Sequence, residues 1–186
     1  MPTPIFSQPE RRNYLVPALI TLVLVAIVAT LIYKFTPHRI ADIAVTHVNV
    51  VSIGTPTKTG SQLVGKQEYI QNDLYVLATV RIDDQLRLPL FLKDITATLT
   101  TPDGDLTTSA IEKNDLDSIY TTFPQLKPVA TAPLLRDTAV QPKDHAEGMV
   151  LLHFPITQQQ WDQRTSATIT ITTYSQGDLT VTVPKS

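Results

Sequence analysis

Four histidines, His38, His47, His145 and His153, are the side chains of this sequence best suited to proton transfer or metal ligation. None belongs to an H-x-H or H-E-x-x-H pattern, and His47 and His153 fall in separate strand-like runs, so surface or core-satisfied imidazoles are expected. His153 stands apart because it sits inside an apolar run, residues 149–154 (MVLLHF). Glu112, Asn114, Asp115 and Asp117 supply the hard oxygen donors that calcium takes, but the glycine and the distant glutamate of an EF-hand loop are missing. Capping of a helix N-terminus accounts for most of that group with no ion. Asp83 with Asp84, and Asp103 with Asp105, read as turn residues rather than as paired catalytic carboxylates. Ser52, Ser61, Ser109, Ser118 and Ser166 lack the G-x-S-x-G context of an activated serine. The segment from Gly54 to Gly60 (GTPTKTG) has neither the spacing of a phosphate-binding loop nor a following helix, and reads as a plain loop. Cysteine is absent, which excludes disulfides, thiol catalysis, thiolate-bound zinc and a lipidated cysteine. The residue types therefore point away from an enzyme, and they nominate no catalytic residue, cofactor or metal.

The elements that position these residues are mostly strands. Leu74, Val76, Ala78, Val80 and Ile82 alternate with Tyr75, Thr79, Arg81 and Asp83, the period of a strand with one buried face, although Leu77 breaks the polar set. Ile95, Ala97 and Leu99 alternate with threonines up to a Pro102-Asp103-Gly104 turn. Ile169 and Ile171, then Leu179, Val181 and Val183, form two further runs joined by a Gln176-Gly177-Asp178 turn. Residues 149–154 are apolar on both faces, which predicts a central strand covered on both sides, and residues 43–53 form another strand with poor alternation. Thr157-x-x-Gln160 is a capping box flanked by Ile156 and Trp161 as a hydrophobic staple, so a short helix is expected there. The pattern predicts a mainly β, antiparallel two-sheet sandwich with one or two short helices.

A second helix is expected from Asn114, because Leu116, Ile119, Tyr120 and Phe123 recur at helical spacing before Pro124. The proline-punctuated stretch 124–133 (PQLKPVATAP) reads as an extended loop. Two roles are open for this 114–133 segment. It is either a plug whose apolar face closes one end of the sandwich, or a partner-binding edge displaying Tyr120, Phe123, Leu126 and Val129.

Ahead of the β-rich region, residues 14–33 (YLVPALITLVLVAIVATLIY) carry no charge. Twenty helical residues cover roughly 30 Å, the depth of a bilayer core. Thr21 and Thr30 can return their hydroxyls to the preceding turn, Pro17 fits the first turn, and Tyr14, Tyr33 and Phe35 flank the run as interfacial aromatics. The run is too long for a signal peptide and lacks a polar face for a core helix, so a single-pass anchor is expected. Ala26 and Thr30 make one small-xxx-small step, read as lipid-facing filler. Arg11 and Arg12 against Lys34 and Arg39 give only a slight orientation bias, and a short tail that stays inside places the domain outside the cytoplasm. A net charge of −2 with no basic cluster argues against nucleic acid as a partner. The absence of both cysteine and N-glycosylation sequons suits a bacterial cell envelope. The expected organisation is a tail over 1–13, an anchor over 14–35, a linker over 36–42 and a sandwich over 43–186 that carries the 114–133 insertion.

The run Tyr75-Val76-x-x-x-Val80-x-Ile82, with Gln141-Pro142 and the later Glu147-Gly148-x-Val150-x-x-x-Phe154, resembles the telokin-like, immunoglobulin-fold domains of small membrane-anchored bacterial envelope proteins. The resemblance spans roughly residues 43–183 and implies a fold and a place, not a chemistry. This chain departs from it by the 114–133 insertion, and by Lys143-Asp144 where the proline-led turn usually has glycine. The expected function is a protein-interaction or envelope-scaffolding module at the cell membrane, touching lipid through its helix and an envelope protein through its domain. The alternative is a carrier that admits a small ligand or a lipid between its sheets; a filled core separates the first from the second.

Overall fold

The computed structural model describes residues 15–35, 40–59 and 67–185. The expected tail, Tyr14, residues 36–39 of the linker with His38, and Gly60 and Ser61 lie outside that range. The chain divides into two units, Met1–His38 and Arg39–Ser186. In the first, Leu15–Phe35 forms the helix α1. Both of its threonines are satisfied within the helix: the Thr21 hydroxyl donates to the Pro17 carbonyl at 2.9 Å and that of Thr30 to the Ala26 carbonyl at 2.7 Å. An 18-residue stretch within Leu15–Lys34 has a mean hydropathy of 2.9, so the helix is long and apolar enough to cross a membrane.

The second unit contains the strands β1 (Ala41–Thr59), β2 (Gln67–Asp84), β3 (Leu90–Thr101) and β4 (Gly104–Ser109), and after them the helix α2 (Lys113–Thr122). A 3-10 helix over Pro124–Val129 follows, then β5 (Ala139–Val140), β6 (His145–Phe154), the helix α3 (Gln158–Asp162), β7 (Ser166–Thr173) and β8 (Asp178–Thr182). One sheet has the order β1-β2-β6; the other runs β4-β3-β7-β8 with β5 added to β3. Every named strand pair is antiparallel. The alternating residues meet between the sheets. Leu74, Val76, Ala78, Val80 and Ile82 of β2 and Ile95, Ala97, Leu99, Ile169 and Ile171 of the facing sheet are buried in one cluster, the core of a β-sandwich.

Several expectations are corrected. The apolar run 149–154 is covered on both faces as expected, but β6 is the edge of its sheet and β2 is the centre. Its outer backbone edge is instead occupied by loop. Met149 N–H donates to the Ala132 carbonyl at 2.8 Å, Leu134 N–H to the Met149 carbonyl at 2.9 Å, and Ile111 N–H to the Leu151 carbonyl at 2.9 Å. An edge paired in this way is closed to further strands. The segment read as a loop from Gly54 is strand as far as Thr59, because pairing with β2 continues without interruption from His47↔Thr79 to Thr59↔Gln67. Pro56 is tolerated there because β1 lies at the edge of the sheet. The turns around Asp103 and Gly177 lie where the sequence puts them, but Asp83 and Asp105, read as turn residues, are paired within β2 and β4. Asp84 Oδ1 accepts the Leu86 N–H at 2.8 Å, as a turn residue does.

The end helix α3 is built by its cap. The Thr157 hydroxyl accepts the Gln160 N–H and the Gln160 side chain accepts the Thr157 N–H, while Ile156 and Trp161 are both buried in the main cluster. Below it Arg164 is buried with its guanidinium 4.0 Å from the centre of the Trp161 ring, and it donates to the carbonyls of Trp161 (2.9 Å) and Pro184 (2.8 Å). Burial, partly opposed by Asp162, lowers its pKa from the ordinary arginine value.

Two positions in β6 and the turn before it carry backbone constraints. Gly148 leaves no room for a side chain, since a Cβ there would stand 2.6 Å from the Leu134 backbone nitrogen. Lys143 adopts φ = 60° in a turn closed by Asp144 N–H donating to the Gln141 carbonyl at 3.0 Å. It is a left-handed position of the kind glycine fills at no steric cost. Gly148→Ala is therefore expected to destabilise the protein by about 1–3 kcal/mol. Lys143→Gly is expected to stabilise it by up to about 1 kcal/mol. Denaturant unfolding of the two variants checks both signs, and a neutral Gly148→Ala would show that Leu134 yields freely.

Candidate functional site

The period of two that sends Leu74, Val76 and Ala78 inward sends Asp73, Tyr75, Leu77 and Thr79 to the opposite face of the β1-β2-β6 sheet. Cross-strand register adds Val51 and Ile53 from β1 and Met149, Leu151 and His153 from β6. This outer face is apolar over half its length, which is why Leu77 does not follow the polar pattern. It is covered by the insertion. Ile53, Tyr75, Leu77, Met149 and Leu151 form a second buried cluster with Leu116 of α2 and Leu126 of the 3-10 helix.

The insertion begins one residue earlier than the sequence suggests. Glu112 occupies the N-cap position without a side-chain cap bond, and Asn114 lies within the helix. The helix ends as expected at Phe123, whose N–H donates to the Ile119 carbonyl at 2.7 Å. The following stretch is not extended. Leu126 N–H donates to the Phe123 carbonyl and Ala130 N–H to the Lys127 carbonyl, winding Pro124–Val129 into a 3-10 helix. This folding decides the fate of the four nominated residues. Leu126 is 0% exposed and is a core residue rather than a displayed one. Tyr120, Phe123 and Val129 are half-buried against the same cluster. The insertion thus caps a sheet face, not an end of the sandwich.

A polar–aromatic group closes the rim of this face. His153 Nε2 and Asp73 Oδ1 are 2.7 Å apart, with the carboxylate side chain 9% and the imidazole 36% exposed. Gln71 Nε2 also donates to Asp73 Oδ1, at 3.3 Å. The Tyr75 ring stacks on the imidazole, with centres 4.9 Å apart and planes at 28°, and meets Phe123 at 5.3 Å. Burial first and the charge of Asp73 second push the Tyr75 hydroxyl above its usual pKa. An Asp–His pair can hold an imidazole in one tautomer, but among the described residues no serine, threonine or tyrosine hydroxyl is bonded to His153, so the geometry shows no nucleophile for it to activate.

Elsewhere on the insertion, α2 and residues 130–133 bound a cleft of about 400 Å³. Leu116, Ala130 and Pro133 give it apolar walls, and Lys113, Asp117 and Tyr120 give it polar ones. Burial, then Asp117, raises the pKa of the Tyr120 hydroxyl. A smaller cleft of about 250 Å³ lies between Ile95, Ala110–Asn114 and Leu134–Asp137. There Arg136 bridges two carboxylates, Asp94 at 2.7 Å and Glu112 at 2.9 Å. Glu112 is thereby drawn away from Asp115 and Asp117, and among the described residues no three His, Asp or Glu side chains converge as a metal site. Asp83 is likewise tied to Arg81, at 2.8 Å, which lowers its pKa. The Asp73–His153 contact was not legible in the sequence, where the two residues lie 80 positions apart; its only trace was a histidine among apolar neighbours.

No family model matches the chain, and no curated protein sequence matches it. Among solved structures, a functionally unknown protein from Listeria monocytogenes EGD-e aligns at 10% identity with a TM-score of 0.46, covering 81% of each chain. An uncharacterized β-sandwich protein from Clostridium difficile 630 aligns at 11% identity with a TM-score of 0.38, covering 80% of this chain and 89% of that one. A conserved hypothetical protein from Bacillus anthracis aligns at 9% identity with a TM-score of 0.30, covering 78% of this chain and 99% of that one. Likenesses of this degree carry no argument about function.

Two outcomes are expected. Leu126→Ala lowers the unfolding free energy by about 2–5 kcal/mol, as truncation of a filled core does, and denaturant titration reads it. Tyr75 keeps its proton to higher pH folded than unfolded, so its contribution is complete below the ordinary value of 10.0 and is lost as pH rises through the raised one. Stability measured from pH 9 to about 12 should therefore fall less steeply in Tyr75→Phe than in the parent protein.

Proposed function

We propose that this protein is a single-pass membrane protein in which α1 holds an immunoglobulin-like sandwich outside the cytoplasm as a protein-interaction or envelope-scaffolding module. The face built by α2 and residues 130–133 is where a partner binds. The observation that carries this reading is the combination on that face of an apolar-walled cleft of about 400 Å³ with half-exposed Tyr120 and charged Lys113 and Asp117. Aromatic anchors set among a few polar groups are the usual makings of an interface. The catalytic alternative has less support, since the Asp73–His153 pair meets no nucleophile among the described residues.

Packing favours the interaction module over a carrier. Leu74, Val76, Leu90, Leu92, Leu99 and Ile169 meet between the sheets at 0% exposure, leaving their apolar surface to one another rather than to an acyl chain.

The test is quantitative co-purification of the full-length protein from its native membranes, alongside Tyr120→Ser and Asp117→Arg. The expected result is a near-stoichiometric partner that both variants lose, while the melting temperature of Asp117→Arg, at an exposed position, stays close to the parent's. A partner retained undiminished by both variants removes the interface from this face. Lipid found by mass spectrometry on the protease-released domain, with no protein partner, replaces the module by the carrier.

A further inference from the structure

One end of the sandwich gathers the point where the chain enters it and two connecting segments. Gln85 N–H donates to the Ile40 carbonyl at 3.1 Å, and the Gln85 amide donates to Asp42 at 3.1 Å. The turn 174–177 lies against the same place, since a Cβ on Gly177 would be 3.5 Å from Ile40 Cδ1. Gln176 Nε2 donates to the Pro89 carbonyl at 3.2 Å and Tyr174 N–H to the Phe91 carbonyl at 3.2 Å, so residues 85–91 and 174–177 are held side by side. On these joined segments Leu88 is 68% exposed, Tyr174 60% and Phe91 44%. Among the described residues of this unit, Ile70 is the only other exposed large hydrophobic, and it lies on the part of β2 that runs toward the opposite end. Single exposed apolar residues are ordinary, whereas three on adjoining segments are not.

The chain itself argues for what covers them. Between Phe35, the last residue of α1, and Ile40 there are five Cα–Cα steps, which extend to no more than about 17 Å. The interfacial layer on each side of a bilayer core is itself roughly 5–8 Å deep. Exposed charges of both signs lie near the chain's entry to this end, where Asp42 accepts from Gln85, Asp144 accepts the Asp84 N–H next to Lys143, and Arg87 belongs to segment 85–91, so a zwitterionic surface suits this end as well as an anionic one. Tyrosine is the residue whose apolar ring and polar hydroxyl fit that layer best, and the Tyr174 hydroxyl is held by Asp137 at 3.0 Å.

We infer that Leu88, Phe91 and Tyr174 form a lipid-docking end that seats the sandwich in the interfacial layer of the phospholipid membrane; this rests on reading α1 as a membrane anchor. The sandwich is then attached at two points, by the covalent tether and by this apolar end, which restricts its tumbling at the surface.

The protein has no cysteine, so a single introduced thiol is a unique label. The full chain is reconstituted in phosphatidylcholine vesicles with brominated acyl chains. It carries a polarity-sensitive fluorophore either at Leu88→Cys or at Asp103→Cys, the latter in the β3–β4 turn at the other end of β3. The expected result is blue-shifted emission at 88, quenched by the bromolipid at least about twofold more than at 103. Equal, water-like emission from both labels in protein that floats with the vesicles and resists carbonate extraction overturns the docking end and leaves the anchor standing. A blue shift at 88 without bromolipid quenching also overturns it, since the cover is then protein. Failure of the chain to float with the vesicles overturns the anchor and the docking end together.

Discussion

The rest of the structure depends on the register of β2 between β1 and β6. Its inward residues complete the sandwich core while Tyr75 and Leu77 face the other way, into a second cluster that is equally dry. A slip of one residue would exchange the two faces and expose Asp73 or Thr79 to the main core. Because both faces are apolar at this end, neither sheet surface can be left to solvent, and the strand needs a cover on each side. The facing sheet is one cover. The segment from Lys113 to Val129 is the other, and its two short helices owe their stability to that contact more than to their own propensity.

The same cover solves a problem at the edge. β6 ends its sheet, and an apolar edge strand invites unwanted pairing. The return of the chain after the 3-10 helix lays residues 132–134 along that edge, and their close approach is what Gly148 makes room for. Insertion, edge and glycine are therefore one device. The left-handed Lys143 belongs to the same stretch, at the turn that leads into β6. The chain tolerates there a backbone conformation that an L side chain adopts reluctantly.

The polar chemistry of the domain is shaped by these constraints. Asp73 and His153 meet because β2 and β6 pair Tyr75 with His153, and the imidazole is then sandwiched between a carboxylate and an aromatic ring. Glu112, by contrast, is taken out of an acidic cluster by Arg136, which arrives from the loop after the insertion. Both partnerships are contacts between distant segments. The partly open cleft along α2 also joins an apolar wall to polar groups, Lys113, Asp117 and Tyr120.

The local features were legible in the amino-acid sequence by itself. The apolar helix, the alternating strands, the Gly104 and Gly177 turns and the Thr157–Gln160 capping box are all set by interactions within a few residues, where periodicity and turn chemistry speak directly. What only the tertiary structure decided is which strand lies at an edge, what covers the outer face, and where each nominated side chain ends up. Met149–Phe154 shows an apolar pattern on both faces, but that pattern is the same for a central strand and for an edge strand under a lid. Leu126 follows a proline and precedes another, which suggests an extended display, yet burial against Leu77 and Leu151 winds it into a 3-10 turn and removes it from the surface. The physical reason is common to both cases. Hydrophobicity at one position states that a residue must be covered, and only the packing of the whole chain states by what.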